Sequence, residues 1–481
     1  MKTGIALALF LLAACASRQP AAPETNGAAR RLSADVNYLA ADELEGRGTP
    51  SRGLDLAALY LEAQLRAAGV APAVDGSFRQ SYTIGAYDPN TARVTVRING
   101  KTVAPADYVF VNIGRDPAKG PISLALVDAG NGMVLEEKSV DDLSKLDIRG
   151  KAVVARKAAP WPLEPKSVFG PDRAIGKVMA ATVRGAEMLV YLSEDLDTGD
   201  AEAGFFHEMK SAPVAFVRQA GLTHASALNP ILVLKPKAYA PGNIEISIDT
   251  KVEEGRASNV LGRIEGSDPT LKNEWVVVSA HYDHLGSHAV PAGQDGIWNG
   301  ADDNASGTAG ILEIAREMAR RPGKRSVLVF FTSGEDRGIF GSAFYSVKPV
   351  IAMKDVAAQI NLDMIGRSHG KVEALAHGAP ALYDLAVATG KRHSIEVIPD
   401  QQPTWRLLYL TDLYHFARAG VPGIHFFTGL HADYHQPSDT AAKIRYEEMA
   451  RLAALAGEMA RVYADGAPRP GFERPKWFVT P

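Results

Sequence analysis

Residues 275–283 read Trp-Val-Val-Val-Ser-Ala-His-Tyr-Asp. An apolar run ends there in an imidazole and a carboxylate. The run Trp275–Ala280 is one of four, with Val327–Phe331, Val356–Leu362 and Pro422–Phe427. Strands this continuously apolar need cover on both faces. Amphipathic stretches such as Ser306–Ala319 and Ala379–Lys391 lie between them. Apolar strands alternating with helices predict a three-layer α/β/α unit with a mostly parallel, twisted mixed sheet. In open α/β sheets the site lies at the carboxyl ends of the strands. Each run leads there into a residue of metal-binding type: His281 and Asp283, Glu335 and Asp336, Asp363, and His435. A fifth segment, Gly-Ala-Asp-Asp-Asn-Ala-Ser-Gly over 300–307, carries Asp302 between the first strand and its helix.

A single Asp after a strand ordinarily caps a helix or closes a turn. The joint pattern is different, because two His and several carboxylates at successive strand ends converge on one crevice. Without a cation the carboxylates would repel one another. A mixture of imidazole and carboxylate suits zinc, with cobalt or manganese also compatible.

These runs, with Gly334-Glu-Asp-Arg-Gly-Ile-Phe-Gly-Ser342, Asn361-Leu-Asp-Met364 and Asp433-Tyr-His435, resemble the co-catalytic di-zinc aminopeptidase family. That family includes bacterial leucyl aminopeptidases and the glutamate carboxypeptidase and transferrin-receptor branch. The resemblance implies an aminopeptidase with two Zn2+ ions per chain, removing N-terminal residues from peptides through a zinc-bridging hydroxide. It implies that His281 and Asp363 bind one zinc, Asp336 and His435 the other, and that Asp302 bridges them. Glu335 takes the general base position, Asp283 holds the outer ring nitrogen of His281, and Tyr434 donates to the developing oxyanion. It also implies a cis peptide between Asp302 and Asp303. One departure stands out: the family has Glu-Glu where this chain has Glu335-Asp336, one methylene shorter at the ligand.

Three other readings share the scaffold. A carboxypeptidase needs cations for the substrate carboxylate, and Arg406 and Arg418 are the candidates. A transferrin-receptor-like binding relative would lack ligands or the base. A single-zinc cyclase has no need of a bridging Asp302.

The remaining sequence sets the frame. A chain of 481 residues suggests two or three domains. Its formal net charge of -3 offers no basic excess for a nucleic acid partner. The one cysteine, Cys15, follows Leu12-Ala-Ala and resembles a bacterial lipobox. Lys2 and the apolar Ile5–Leu12 supply the rest of a signal peptide. Residues 1–14 are therefore read as a lipoprotein leader and 15–31 as a flexible tether. The resemblance implies export and anchoring to the bacterial outer membrane through lipidated Cys15 alone, facing the periplasm. Residues 32–103 open the peptidase domain, with Glu45-Gly-Arg-Gly-Thr49 breaking two helical runs. Residues 104–247 are read as an inserted, mainly β module. Its Leu146–Val154 and Arg184–Val190 segments resemble a protease-associated domain. The catalytic domain covers 248–465, and 466–481 form a Pro-rich tail. Peptides are the expected partners. Side-chain preference and oligomeric state stay open.

Overall fold

The computed structural model describes residues 25–135, 138–157, 170–196, 214–219, 222 and 228–479. The stretch read as a leader, Cys15 and the first part of the stretch read as a tether lie outside the described residues.

Side-chain alternation decides how the central strands are used. The four apolar runs form β4 (Trp275–His281), β5 (Ser326–Thr332), β6 (Val356–Leu362) and β9 (Gly423–Phe427). On β4 and β5, Val276, Val278, Ala280, Val327, Val329 and Phe331 point into one hydrophobic layer. Val277, Leu328 and Phe330 point into the opposite one. The first layer is closed by α1 (Thr25–Leu39), α2 (Arg52–Ala67), α4 (Gly307–Arg320), α5 (Pro380–Arg392) and α6 (Tyr446–Ala464). The second is closed by the short helices Phe340–Val347 and Leu413–Arg418 through Tyr345 and Phe416. The result is the expected α/β/α stack.

The sheet also contains β1 (Arg79–Tyr87), β2 (Val214–Val217), β3 (Glu253–Ile264), β7 (Lys371–Leu375) and β8 (Glu396–Pro399), in the order β2-β1-β3-β5-β4-β6-β9-β7-β8. The short strand Ala71–Pro72 pairs with β3. Strands β5, β4, β6 and β9 are mutually parallel. Strands β3, β1 and β2 run antiparallel on one side, and β7 runs antiparallel to β9 on the other. The parallel character is thus confined to the centre, where the site-bearing strand ends lie side by side.

Helix α1 starts at Thr25, inside the stretch read as tether. Ala29, Leu32, Val36 and Leu39 recur at helical spacing and are buried, so the helix extends back as far as its apolar stripe. Among the described residues, no helix is long and apolar enough to cross a membrane.

A second sheet of eight strands spans Arg93 to Asp249, wider than the expected 104–247. Its order is Lys101–Thr102, Arg93–Ile98, Asn243–Asp249, Ile122–Asp128, Ala152–Arg156, Met188–Leu192, Ile231–Leu234, Tyr108–Val111. The boundary moves because Arg93–Ile98 pairs along Asn243–Asp249. One strand from this stretch, β2, leaves it and pairs with β1 in the main sheet. Helix α3 (Ala174–Thr182) covers one face. Its Met179, with Val183, packs against Ile339, Leu408, Tyr409 and Phe478 of the main unit. Phe478 is buried, so the Pro-rich tail is pinned into this contact. The two sheets therefore share apolar contacts. Met179→Ala is expected to cost about 2–5 kcal/mol. Denaturant unfolding followed by circular dichroism and by tryptophan fluorescence should show one coincident transition, shifted by that amount.

Candidate metal centre

The centre is assembled at the carboxyl ends of β4, β5 and β6 and from two loops. His281 closes β4, and Asp283 and His284 follow it. Glu335 and Asp336 follow β5, and Asp363 follows β6. His435 comes from the loop after β9, where it holds a left-handed backbone with φ 55°.

The fifth segment, over 301–306, makes a buried π-type turn that feeds α4. Gly300 enters it at φ 57°, and a Cβ there would meet the Asp303 carbonyl at 2.1 Å and the His284 ring. Only glycine fits that backbone beside those atoms. The turn is tied to the end of β6: Asn304 donates to the Leu362 carbonyl at 3.0 Å, and Gly307 N donates to Asn304 Oδ1 at 2.8 Å. Asp439 fixes its other edge, accepting from Asp302 N at 2.8 Å and Asp303 N at 3.1 Å.

Of the two adjacent aspartates, Asp303 faces the crevice. Its Oδ1 lies 3.3 Å from His281 Nε2, and its Oδ2 lies 3.3 Å from His435 Nε2. His281 Nε2 is also 3.3 Å from Asp363 Oδ1, and His435 Nε2 is 3.3 Å from Asp336 Oδ1. One carboxylate thus serves two ligand sets through its two oxygens. The assignment of the bridge to Asp302 is corrected. Asp302 Oδ1 accepts from Gly366 N at 2.6 Å and Ser306 Oγ at 3.0 Å, and Oδ2 lies 3.1 Å from His431 Nε2. Its carboxylate is spent holding the loop at 366 against the turn. The cis peptide likewise lies one residue later than expected, between Asp303 and Asn304.

The other expected ligands, His281, Asp336, Asp363 and His435, do meet. His284, which the sequence reading passed over, joins them: its Nδ1 is 2.8 Å from Asp336 Oδ2 and 3.8 Å from Asp303 Oδ2. It stands at the metal subsite where Asp replaces the longer Glu. Its signal was its place one residue after Asp283. Donor atoms of His281, Asp303 and Asp363 form one group close enough to hold an ion, and those of His284, Asp303 and Asp336 form another. Asp363 Oδ1 is buried without a hydrogen bond in the protein. A buried anionic oxygen in that state needs a cation, and the imidazole and carboxylate donor set suits zinc.

Asp283 lies under the cluster. Its Oδ1 is 3.7 Å from His281 Nδ1, an ion-pair distance longer than a hydrogen bond, so it does not grip the ring as expected. It accepts instead from Glu335 N at 3.2 Å and from Thr49 Oγ1 at 3.2 Å. Asp283 therefore places the backbone of Glu335. Burial drives the Glu335 carboxyl well above its ordinary range, and the neighbouring Asp363 and Asp336 add to this. Burial likewise lifts Asp363 to about 6, with His281 opposing. Burial works against the charged form of His435, but Asp303 and Asp336 outweigh it and push its pKa up to about 10. Tyr434 stacks on His435 with ring centres 3.8 Å apart, and burial beside four carboxylates raises its phenol.

Arg47 was also missed as a site residue. It is fully buried and donates to the carbonyls of Tyr282 at 2.9 Å, Asn299 at 2.7 Å and Gly300 at 2.9 Å, and to that of Leu39. Burial lowers its pKa to about 10, still charged at neutral pH, with Asp283 and Asp303 supporting the charge. It holds the loops carrying His284 and Asp303 to the amino-terminal helices. The motif Glu-Gly-Arg-Gly-Thr was visible, but nothing in it announced that its arginine is interior.

Residues 259–460 match the model of peptidase family M28. The M28 stretch contains every ligand candidate together with Glu335 and Tyr434, while Arg47 and Thr49 lie outside it. Among curated proteins, the chain is 32% identical over 133 residues to a probable zinc metalloprotease of Pyrenophora tritici-repentis, covering 26% of this chain and 27% of that protein. It is 28% identical over 148 residues to one from Leptosphaeria maculans, covering 29% and 33%. It is 28% identical over 240 residues to the uncharacterized protein YfbL of Escherichia coli, covering 43% and 71%. The match thus spans a third or less of the length of the two fungal relatives. An aminopeptidase from Aneurinibacillus sp. strain AM-1 superposes with TM-score 0.51 at 18% identity, covering 92% of this chain and 95% of that one. The M28 peptidase precursor from Shewanella amazonensis gives 0.50 at 18%, covering 94% and 98%. At that identity the likeness concerns the fold.

Two outcomes test this assignment. Asp303→Asn should empty both metal subsites in elemental analysis, whereas Asp302→Asn should keep the metal and cost about 1–3 kcal/mol of stability from a weakened loop anchor. Arg47→Met leaves four buried carbonyls without their donor. It is expected to cost about 3–5 kcal/mol in chemical denaturation and to weaken zinc retention during dialysis.

Proposed function

We propose that the chain is a di-zinc aminopeptidase that removes N-terminal residues from peptides. The observation that carries this reading is Asp303, whose two oxygens face two separate ligand sets with Glu335 beside them. His281, Asp303 and Asp363 would hold one ion, and Asp303, Asp336 and His435 the other, with His284 bracing or completing the second set. Bound zinc supplies Lewis acidity for the scissile carbonyl and for the attacking water.

The residues do the rest. Glu335 lines the cavity, and its raised proton affinity suits a group that takes a proton from water and returns it to the leaving amine. Asp283 holds the Glu335 backbone in place. Tyr434 borders the same cavity and presents a phenol that stays protonated, able to donate to the oxyanion.

The cavity also favours an amino over a carboxyl terminus. Among the described residues lining it there is no Lys or Arg, while four carboxylates are present. The two arginines considered as carboxylate binders are engaged elsewhere: Arg406 lies over the Trp477 ring at 5.7 Å and Arg418 over Tyr414 at 5.6 Å. The sequence of the leader and Cys15 supports export with lipid attachment at the outer membrane, and the second sheet fits a protease-associated module that borders the cleft.

The test is Glu335→Gln in the zinc-loaded protein. Turnover of an amino-acid p-nitroanilide should fall about 10²–10⁴-fold with zinc content unchanged. The wild-type protein should ignore the N-acetylated analogue. Near-native turnover in the variant removes Glu335 from the base position, and cleavage of the blocked substrate argues against an aminopeptidase.

A further inference from the structure

Away from the metal ligands the cavity wall is mostly apolar, with Met364, Trp405, Leu407, Leu410 and Phe427. His425 interrupts it. This residue sits on β9, on the face it shares with Phe427, while Ile424 and Phe426 point into the opposite layer. Imidazole on a buried central strand demands an explanation, and the neighbouring strands supply one.

A row of polar residues crosses the sheet in register. Ser279 on β4 stands opposite Asn361 on β6, and Asn361 stands opposite His425 on β9. All three are buried, as is Gln359. Gln359 Nε2 donates to Ser279 Oγ at 3.0 Å, so the single hydroxyl proton of Ser279 goes to Asn361 Oδ1 at 2.7 Å. The Asn361 carbonyl is thereby directed at Ser279, and its amide NH2 meets His425 Nδ1 at 3.0 Å. That nitrogen must accept. In a neutral ring the proton then belongs to Nε2. Burial keeps the ring neutral, lowering its pKa to about 3. Nδ1 is occupied by Asn361, and Nε2 makes no hydrogen bond to the described residues, leaving it for the cavity that the residue lines.

We propose that His425 sets the side-chain specificity of this cavity, donating its Nε2–H to a neutral acceptor at the tip of the substrate's N-terminal side chain. This rests on the aminopeptidase reading. The apolar walls take the stem, and the donor takes the tip. The favoured residue is glutamine, with methionine offering a weaker sulfur acceptor, over the hydrocarbon norleucine. A site built to hydrogen-bond a substrate group discriminates against the analogue that lacks it, because its own donor is left unpaired.

The experiment compares kcat/KM for the p-nitroanilides of glutamine, methionine and norleucine, and the binding of free L-glutamine and L-norleucine by calorimetry. Both are run on the zinc-loaded full chain and on His425→Phe and His425→Gln. The glutamine-to-norleucine ratio should fall about tenfold in His425→Phe, in line with the loss of one hydrogen bond, and be largely restored in His425→Gln, which keeps a donor. An unchanged ratio in His425→Phe overturns the proposal. If no p-nitroanilide is turned over, the aminopeptidase reading fails, and the calorimetric ratio still decides the role of His425. Nitrogen-15 spectra of the histidine-labelled wild-type protein give a readout that needs no variant. The Nε2–H tautomer is expected for His425, and an Nδ1–H tautomer contradicts the proposal.

Discussion

Five carboxylates, those of Asp283, Asp303, Glu335, Asp336 and Asp363, are brought together at one end of a parallel sheet. Their mutual repulsion is the constraint around which the molecule is built. Burial raises the cost of charge, so each carboxylate needs a cation, a donor or a proton. The structure answers in layers. His281, His284 and His435 stand against the ligand carboxylates, backbone and hydroxyl donors hold Asp283, and the interior guanidinium of Arg47 adds a fixed positive charge beneath. In the proposed function, two divalent ions would complete the compensation. Folding and metal binding would then be coupled, because ions that bind the native chain and not the unfolded one stabilise it by mass action.

The scaffold that gathers these groups was legible because its signal is continuous. Four apolar runs with metal-type residues after them can form only buried parallel strands with a crevice at their ends. The bridge was legible as a segment and misassigned as a residue. Asp302 and Asp303 are identical neighbours, and which of them faces the metals depends on contacts with Gly366, Ser306 and Asp439, all distant in sequence or hidden in the geometry of the turn. Arg47 was illegible for the opposite reason. An arginine is ordinarily exposed, and only the four carbonyls converging on it from three separate segments make the interior its place. The second sheet was recognised by its short strands. Its edges were not, because Arg93–Ile98 and Asn243–Asp249 are joined by pairing across about 150 residues of chain.

That sheet also bears on function. Leu228, which lies in the stretch it spans, borders the same cavity as the metal ligands, and Trp405 packs into its core while lining the cavity wall. The substrate pocket is therefore a joint product of two folding layers. The chemistry comes from the M28 stretch, whereas the shape of the pocket depends on a segment outside it. Relatives that match only the M28 stretch share the first and are free to differ in the second.

The central claim is that a single carboxylate, Asp303, sits between two metal ions. Anomalous diffraction at the zinc edge from crystals of the zinc-loaded protein tests it most directly. The account predicts two peaks about 3.5–4 Å apart, one beside His281 and Asp363, the other beside Asp336 and His435, with one oxygen of Asp303 on each. A single peak, or a pair bridged by Asp302, would contradict it.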